Sequence, residues 1–363
     1  MPCPVRPEPL KTKASLFFTF FVKRNSWLSG LFERSYVMKT GRVKLPGIEI
    51  VIASELPLVK KIMIDEVDTY PKNHLLHKLL EPLLGESIFT SNGCQWRKQR
   101  DLMNPAFARA RVGEVFGLMQ QACDDMLMRF SKINPKNNRR DMDAEMTFVT
   151  ADIIFRTIMT TKLEANAADK ITRAFTRFQH QSLRITMLRL FKIPLALFGF
   201  KERQRRDAAQ EIRDTLESLI RPRYDAISNG DDKEWTDILS TLLNTIDPDT
   251  NKRFSFKEIV DQVAMLFLAG HETSASALSW TFYLLSEYPE IQQQAFKEIQ
   301  DTVGDRKIKK EDIKKLTFVT AIFRETLRLY PPVGFMAREA KEKVTLRDKI
   351  VAKGKTVIVS PWL

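Results

Sequence analysis

Cysteine is scarce in this chain, and the three that occur are not spaced as a disulfide framework. Cys3 lies in a proline-rich start, Cys94 precedes a basic helix and Cys123 lies in the segment MQQACDDML. An odd, scattered set of thiols is typical of a reducing compartment. The sequence therefore predicts a cytoplasmic protein without structural disulfides.

Apolar runs long enough to cross a bilayer are missing as well. The run nearest the start, Ala14–Val22, has nine residues, whereas a transmembrane helix needs about 20. It follows basic residues, as the apolar region of a signal peptide does, but no small-residue cleavage site comes after it. We expect a soluble protein with no transmembrane segment, in which Ala14–Val22 packs as an early element. Weak contact with a membrane surface is the alternative.

The chain also lacks the patterns of a nucleic-acid-binding protein, although it is basic. Lys and Arg number 58 against 45 Asp and Glu, which gives a formal net charge of +13. Such an excess suits an acidic protein, an anionic membrane surface or nucleic acid. The basic residues are spread along the chain, with no Cys/His finger spacing and no RNA-binding aromatic motif. We therefore expect no nucleic-acid partner.

The order of patterns along the chain predicts one domain over residues 1–363, mainly α with a small β portion. Residues 1–46 are predicted to be an irregular lead-in, and Ile48–Ala53 a strand. Helical patterns follow as far as Pro331, and Lys343–Ser360 changes to the alternation of strands, with a turn at Lys353-Gly354. The predicted helix breaks lie at Pro105, Asn134–Asn138, Pro194, Ser228–Glu234 and Pro289.

One predicted helix is unusually long and apolar. Ser255 and Glu258 have the spacing of a capping box, and Pro289 ends the pattern, so we predict a helix over Phe256–Tyr288. Its segment Val263–Ala269 is apolar on every face. We expect this segment to be buried all round.

Immediately after that segment come residues that do not suit a buried helix. The hydroxyl of Thr273 can bond to the carbonyl of Ala269 and bend the helix. Gly270 would leave room for something flat or diatomic to approach the backbone. Glu272 and Thr273 together could relay protons to a buried reaction. The alternative is a simple kink with Glu272 in solvent.

Two further patterns contain candidate anion ligands or ion pairs. Trp96 and Arg100 are four apart on one helical face and could hold a carboxylate or phosphate, or be part of an exposed basic helix. Glu325 and Arg328 are three apart among apolar residues, so we expect a partly buried pair. Arg338 could reach a buried anion, or be an ordinary arginine at a strand edge.

In this order and spacing, these features resemble the cytochrome P-450 family of haem-thiolate monooxygenases. The resemblance extends from Ile48 to Leu363, and its most specific pieces are Ile88–Phe107, Phe267–Leu278 and Phe323–Val333. It implies the cytochrome P-450 fold and a haem cofactor.

The resemblance also implies a role for each residue near that cofactor. Trp96 and Arg100 would clamp one haem propionate, and Arg338 would bind the other. Ala269 and Gly270 would form the oxygen-binding groove.

For catalysis, Glu272 and Thr273 would be the acid–alcohol pair that delivers protons to dioxygen. Glu325 and Arg328 would be a structural charge pair with no part in bond chemistry. The segment Val333–Met336 would border the substrate pocket, with Val333 and Phe335 as the substrate residues.

As a family member, the protein would insert one atom of dioxygen into an apolar substrate and reduce the other to water. Electrons would come from NAD(P)H through an acidic ferredoxin or flavodoxin-type protein. The segment Asp169–Tyr224, where the substrate lid is expected, is rich in Phe, Leu and Arg and does not define the substrate. The alternatives are peroxide-driven or rearrangement chemistry, which the pair Glu272–Thr273 disfavours, a non-catalytic relic of the family, and a basic nucleic-acid scaffold.

One family element is missing from the sequence, namely the Phe-x-x-Gly-x-Arg-x-Cys-x-Gly loop whose thiolate binds the iron. None of the three cysteines has this context, and the sequence stops at Leu363, before the loop is expected. We therefore expect a fold that is incomplete at its C-terminus, no metal ligand in this chain and no monooxygenase activity of the fragment itself.

Overall fold

The computed structural model describes residues 5–11, 28, 31–45, 48–107, 115–132, 139–162, 165–190, 199–230 and 237–363. Several expectations fall elsewhere: the packed element Ala14–Val22, the breaks at Asn134–Asn138 and Pro194, and the surroundings of Cys3 lie outside the described residues. The break at Ser228–Glu234 lies outside them in part.

The architecture is mainly α with a small β portion, as predicted. The described helices are α1 (Leu56–Lys60), α2 (His74–Leu84), α3 (Gly93–Met103), α4 (Phe116–Ser131), α5 (Met142–Met159), α6 (Ala165–Leu190), α7 (Gly199–Ser228), α8 (Ile238–Asn244), α9 (Phe256–Glu287), α10 (Pro289–Thr302) and α11 (Thr317–Leu329). The described strands are β1 (Thr40–Leu45), β2 (Ile48–Ala53), β3 (Met336–Glu339), β4 (Val344–Leu346), β5 (Lys349–Val351) and β6 (Thr356–Val359). The predicted breaks at Pro105 and Pro289 are confirmed, since α3 ends at Met103 and α10 begins at Pro289.

The chain divides into two compact units, each described by itself below. The first unit comprises Met1–Leu80, Gln179–Arg205 and Val333–Leu363, and the second comprises Glu81–Phe178 and Arg206–Pro332. The single domain expected from the sequence stays a prediction.

A four-stranded sheet in the order β1-β2-β6-β3 organises the first unit. β2 runs antiparallel to β1 and parallel to β6, and β6 runs antiparallel to β3. The β-branched side chains of Val51, Val357 and Val359 form a buried core against Ile62 and Tyr70. The predicted turn at Lys353-Gly354 is confirmed by the positive φ of Gly354, 76°.

The irregular lead-in over residues 1–46 is a wrong prediction in part. Residues Glu33–Tyr36 form a short 3₁₀ helix, and β1 begins at Thr40. The segment TGRVKL has few apolar residues, so its alternation is weak. It is a strand because its whole length pairs with β2, from Thr40 opposite Ala53 to Leu45 opposite Ile48.

The long helix α9 is the central element of the second unit. Its predicted start is confirmed, because Ser255 Oγ accepts from Glu258 N and Glu258 Oε2 accepts from Ser255 N at 2.8 Å. α9 packs along α5 and against α11. The side chains from Val263 to Phe267 are buried as expected, but Ala269 is exposed, so burial on every face ends before it.

Among the described residues, none of the helices combines the length and the apolar character that crossing a bilayer would require.

Replacing Ser255 by Ala tests the start of α9. We expect the free energy of unfolding to fall by about 1 kcal/mol, because the backbone N–H of Glu258 loses the Ser255 hydroxyl as its acceptor. Urea unfolding followed by circular dichroism measures the change. Ser274→Ala, at an exposed position inside the same helix, is the control and should be neutral or slightly stabilising. Equal stabilities of the two variants would contradict the capping role.

Candidate cofactor site

The hydroxyl bond predicted inside α9 is present, and the helix is continuous over Phe256–Glu287. Thr273 Oγ1 donates to the carbonyl oxygen of Ala269 at 2.8 Å. This is the contact expected from the sequence, and it competes with the regular bonding of that carbonyl. Ala269 and Glu272 are exposed and Thr273 is half-buried. Since they are three and four residues apart, they form one accessible face of the helix.

Gly270 does not lie on that open face. A Cβ atom at this position would lie 2.6 Å from Cδ1 and 2.7 Å from Cγ1 of Ile154 on α5. The space that the glycine leaves is therefore filled by a neighbouring helix. The missing side chain of Gly270 thus serves the packing of α9 against α5, and the assignment of Gly270 to the oxygen groove stays a prediction.

The residue between Gly270 and Glu272 is a buried histidine. The ring of His271 stacks on Phe267, with centroids 4.8 Å apart, and meets the edge of Phe175 at 5.1 Å. Burial lowers the pKa of His271, although a bond of its Nδ1 with the Phe267 carbonyl, at 3.0 Å, opposes the shift. A neutral ring with an Nδ1–H donor suits these contacts. His271 thus packs the helix on its closed side.

The neighbouring helix α5 contacts the backbone of α9 at His271. Thr150 Oγ1 on α5 lies 3.0 Å from the carbonyl oxygen of His271 and also within reach of its own helix carbonyls. Sequence patterns did not identify this contact, because it depends on how α5 and α9 pack.

Trp96 and Arg100 lie on α3, one helical turn apart, as expected. The indole is half-buried and the guanidinium is exposed. Lys98, between them in sequence, is engaged elsewhere: its Nζ lies 2.5 Å from Asp247 Oδ2. The bonds from Lys98 and Thr250 lower the pKa of Asp247 to about 2. Lys98 is therefore a structural contact, and Arg100 is the accessible guanidinium beside the indole.

A buried acid missed by the sequence reasoning lies near the start of α9. Asp261 is 1% exposed, and its Oδ1 accepts from Arg213 Nη1 at 2.7 Å. Its Oδ2 accepts from the backbone N–H of Glu86 at 3.1 Å. The signal was a lone carboxylate inside the apolar stretch EIVDQVAMLF, since buried carboxylates are paired and hydrogen-bonded.

The expected partly buried pair of Glu325 and Arg328 is present, but it is not buried. Both Arg328 Nε and Nη2 donate to the carboxylate, at 2.8 and 2.6 Å. The side chains are 54% (Glu325) and 67% (Arg328) exposed. The guanidinium lowers the pKa of Glu325, but exposure to water makes such a pair weakly stabilising. The expectation of burial is wrong because the apolar residues of α11 lie on other faces of the helix.

In the first unit, Arg338 lies on the edge strand β3 beside a lysine that sequence reasoning did not single out. The backbones of Lys72 and Arg338 form an antiparallel bridge, and both side chains are half-buried. Burial, and then the charge of Arg338, lower the pKa of Lys72 to about 8. Burial also lowers the pKa of Arg338. Two desolvated cations side by side favour an anion between them.

The nearest acid on the strand does not fill that role. Glu339 Oε2 lies 2.5 Å from His74 Nδ1, and neighbouring residues of a strand point to opposite faces. Arg338 donates through Nη1 to the Ala337 carbonyl at 3.3 Å, while its buried Nε has no hydrogen-bond partner among the described residues. An orphaned buried donor fits the carboxylate of a cofactor such as a haem propionate.

The residues expected at the substrate pocket also belong to the first unit. Val333 is 46% exposed and Phe335 is half-buried. The backbone between them is fixed, because Ser360 Oγ donates to the Gly334 carbonyl at 2.8 Å. Among the site residues, the structure brings Ala269 and Thr273 into contact and pairs Glu325 with Arg328.

Within the described part of the chain, no cluster of three or more His, Cys, Asp or Glu side chains could hold a metal ion. Cys94 and Cys123 are free thiols, and burial raises the pKa of Cys123.

The comparisons with known proteins agree on one family. The family model described as Cytochrome P450 matches residues 27–363. Cyclooctatin synthase of Streptomyces melanosporofaciens is 29% identical over 306 residues, covering 84% of this chain and 64% of that protein. Cytochrome P450 4V2 of Homo sapiens is 27% identical, covering 79% and 58%. Cytokinin hydroxylase of Arabidopsis thaliana is 27% identical, covering 84% and 60%. The chain spans about three fifths of the length of these curated relatives.

Replacing Gly270 by Ala tests whether its missing side chain serves helix packing. The new methyl group would collide with Ile154, so we expect a loss of stability of about 1–2 kcal/mol despite alanine's better helix propensity. In an Ile154→Ala background the same change should instead stabilise by up to about 1 kcal/mol. Thermal unfolding of the four chains measures both effects. If Gly270→Ala changed stability equally in the two backgrounds, Ile154 would not be the constraint.

Proposed function

Because the chain belongs to the cytochrome P450 family, we propose that it is part of a haem monooxygenase that hydroxylates an apolar small molecule with dioxygen. Two relatives, 11-oxo-beta-amyrin 30-oxidase of Medicago truncatula and cytokinin hydroxylase of Arabidopsis thaliana, are named for oxidative reactions, which supports this proposal.

The observation that carries this proposal is the cation pair of Lys72 and Arg338. Its two half-buried charges and the unpartnered Nε of Arg338 suit a carboxylate from outside the chain. In this proposal Arg338 binds one haem propionate, and Lys72 adds a second positive charge. Trp96 and Arg100 bind the other propionate through an indole N–H and an exposed guanidinium.

The open face of α9 supports the assignment of the proton-handling residues. Bound haem would supply the activation of dioxygen. Thr273 keeps its hydroxyl at a fixed place, because it donates to Ala269 and leaves its lone pairs available as acceptors. Glu272 is exposed, so its carboxyl group can exchange protons with water. We propose that the pair passes protons from solvent toward the reaction.

The proposals for the substrate and the partners rest on apolar surface and on net charge. Val333 and Phe335 offer apolar surface, which suits an apolar substrate. The formal charge of +13 suits an acidic electron donor of the ferredoxin or flavodoxin type. We propose a soluble, cytoplasmic protein, with weak membrane-surface contact as the alternative.

The iron ligand is the one part of the chemistry for which these 363 residues provide no candidate. Cys94 is exposed on α3 and Cys123 lies within α4, and neither occurs in the family's cysteine loop. We therefore propose that these residues by themselves form no thiolate-ligated haem and have no monooxygenase activity.

Titration with hemin and with hemin dimethyl ester tests the carboxylate site. We expect the chain to bind hemin more tightly than the ester, because esterification removes the charges that Lys72 and Arg338 would neutralise. Arg338→Gln and Lys72→Gln should each reduce this preference about tenfold, as the loss of one charge-assisted bond does. Quenching of tryptophan fluorescence reports the affinities.

Lys78→Gln is the matched control, since Lys78 is an exposed lysine on the neighbouring helix α2. Equal affinities for hemin and its ester in the wild-type chain would refute the carboxylate site and the function built on it.

The carbon monoxide spectrum of the reduced, haem-loaded chain tests the expected lack of a thiolate ligand. We expect a Soret band at the shorter wavelength typical of neutral ligands. A long-wavelength, thiolate-type band would show that Cys94, Cys123 or Cys3 can bind the iron. In that case Cys→Ser variants would identify which one.

A further inference from the structure

The segment that connects α2 to α3 is held from two sides. Residues 85–92, here named the 85–92 loop, receive two bonds from α9: Asp261 Oδ2 accepts from Glu86 N and Gln262 Oε1 accepts from Ile88 N, both at 3.1 Å. On the other side, Gln99 Nε2 of α3 donates to the Glu86 carbonyl at 2.6 Å. The peptide of Glu86 therefore joins α9 to α3.

The start of the loop passes so close to Asp261 that its first residue has no room for a side chain. Gly85 has a φ of +49°, and a Cβ atom there would lie 2.2 Å from the Asp261 carboxyl group. No other residue fits this position on either count. The Thr90 hydroxyl donates to the Gly85 carbonyl at 2.7 Å, which closes the loop on itself.

Gln99 connects the 85–92 loop to α3. It is 5% exposed, and both ends of its amide are used, because its Oε1 accepts from Ser91 Oγ at 2.7 Å. Gln99 lies three residues after Trp96 and one before Arg100. Since each helical residue is rotated by about 100° from the last, a fixed Gln99 sets the rotation of α3 and the directions of both neighbours.

An arginine from a third helix forms an ion pair with the Asp261 carboxylate. Arg213 of α7 donates to the carboxylate at 2.7 Å and to the Leu83 carbonyl, at the end of α2, at 3.1 Å. Its side chain is 11% exposed. The carboxylate therefore binds α7 and the 85–92 loop at the same time.

From these contacts we propose that Asp261 is a positioning residue that, through the 85–92 loop and Gln99, aims Trp96 and Arg100 at the carboxylate they bind. The inference rests on the proposed haem site. It adds a residue that would never touch the cofactor and yet sets how well α3 distinguishes a propionate from its ester.

The test is the ratio of affinities for hemin and hemin dimethyl ester, measured on the full 363-residue chain. In Asp261→Asn we expect the preference for hemin to fall about fivefold or more, because a charge-assisted contact of α3 is misdirected. Affinity for the ester should change little. A loss that is equal for both ligands would indicate general damage to the fold and would overturn the proposal.

Asp237→Asn is the matched control. Asp237 also forms a buried pair with an arginine of α7, since Arg223 Nη1 lies 2.6 Å from its Oδ2, but its contacts do not include the 85–92 loop. We expect this variant to lose stability while keeping the wild-type preference for hemin. A fall in its preference equal to that of Asp261→Asn would also overturn the proposal.

Gln99→Leu removes the other end of the connection without disturbing the buried charge. It should lower the preference as Asp261→Asn does, and the double variant should be no worse than the more affected single one, because both act through Glu86. Additive effects would mean two independent routes and contradict the inference. If the wild-type chain itself has no preference, the haem site fails. If the wild type prefers hemin and both variants match it, only the role of Asp261 fails.

Discussion

A carboxylate in a buried stretch of helix has to find its partners on neighbouring segments. Asp261 finds an arginine of α7 and a backbone N–H of the 85–92 loop, and the loop in turn is bound by a glutamine of α3. Leaving such a group unpaired would cost several kcal/mol. This requirement brings four elements of the second unit into one bonded set and leaves little freedom in how α3 is presented.

The first unit contains the opposite arrangement, in which like charges are adjacent. Lys72 and Arg338 are both partly desolvated, which lowers the pKa of each, and the charge of Arg338 lowers the pKa of Lys72 further. A fold that tolerates this strain gains nothing from it in the absence of an anion. The second unit thus contains a helix whose direction is fixed by satisfied bonds, whereas the first contains a cation pair in which the buried Nε of Arg338 has no hydrogen-bond partner among the described residues.

Local sequence patterns predicted the parts of the structure that depend on neighbours in sequence. The capping box of Ser255 and the bond from Thr273 to Ala269 span three and four residues, and both are present. The features missed at the candidate site depend on partners distant in the chain. The sequence pattern predicted an open groove at Gly270, but this residue faces Ile154 of α5. Lys72 was not identified as part of a cation pair, because its backbone bridge to Arg338 is not visible in the sequence.

The central strands of the four-stranded sheet come from segments far apart in the sequence, since Ile50 of β2 pairs with Thr356 of β6. During synthesis on the ribosome, β1 and β2 emerge early and must wait for β6 with their inner edge unpaired. Contacts of such high sequence separation form slowly because loop closure precedes them. The second unit lies in two long continuous segments and can assemble first. The edge strand that presents Arg338 pairs with β6, so the cation pair is completed in the last steps of folding. Until β6 is available, the inner edge of β2 keeps unpaired backbone groups, and such edges favour pairing with other chains.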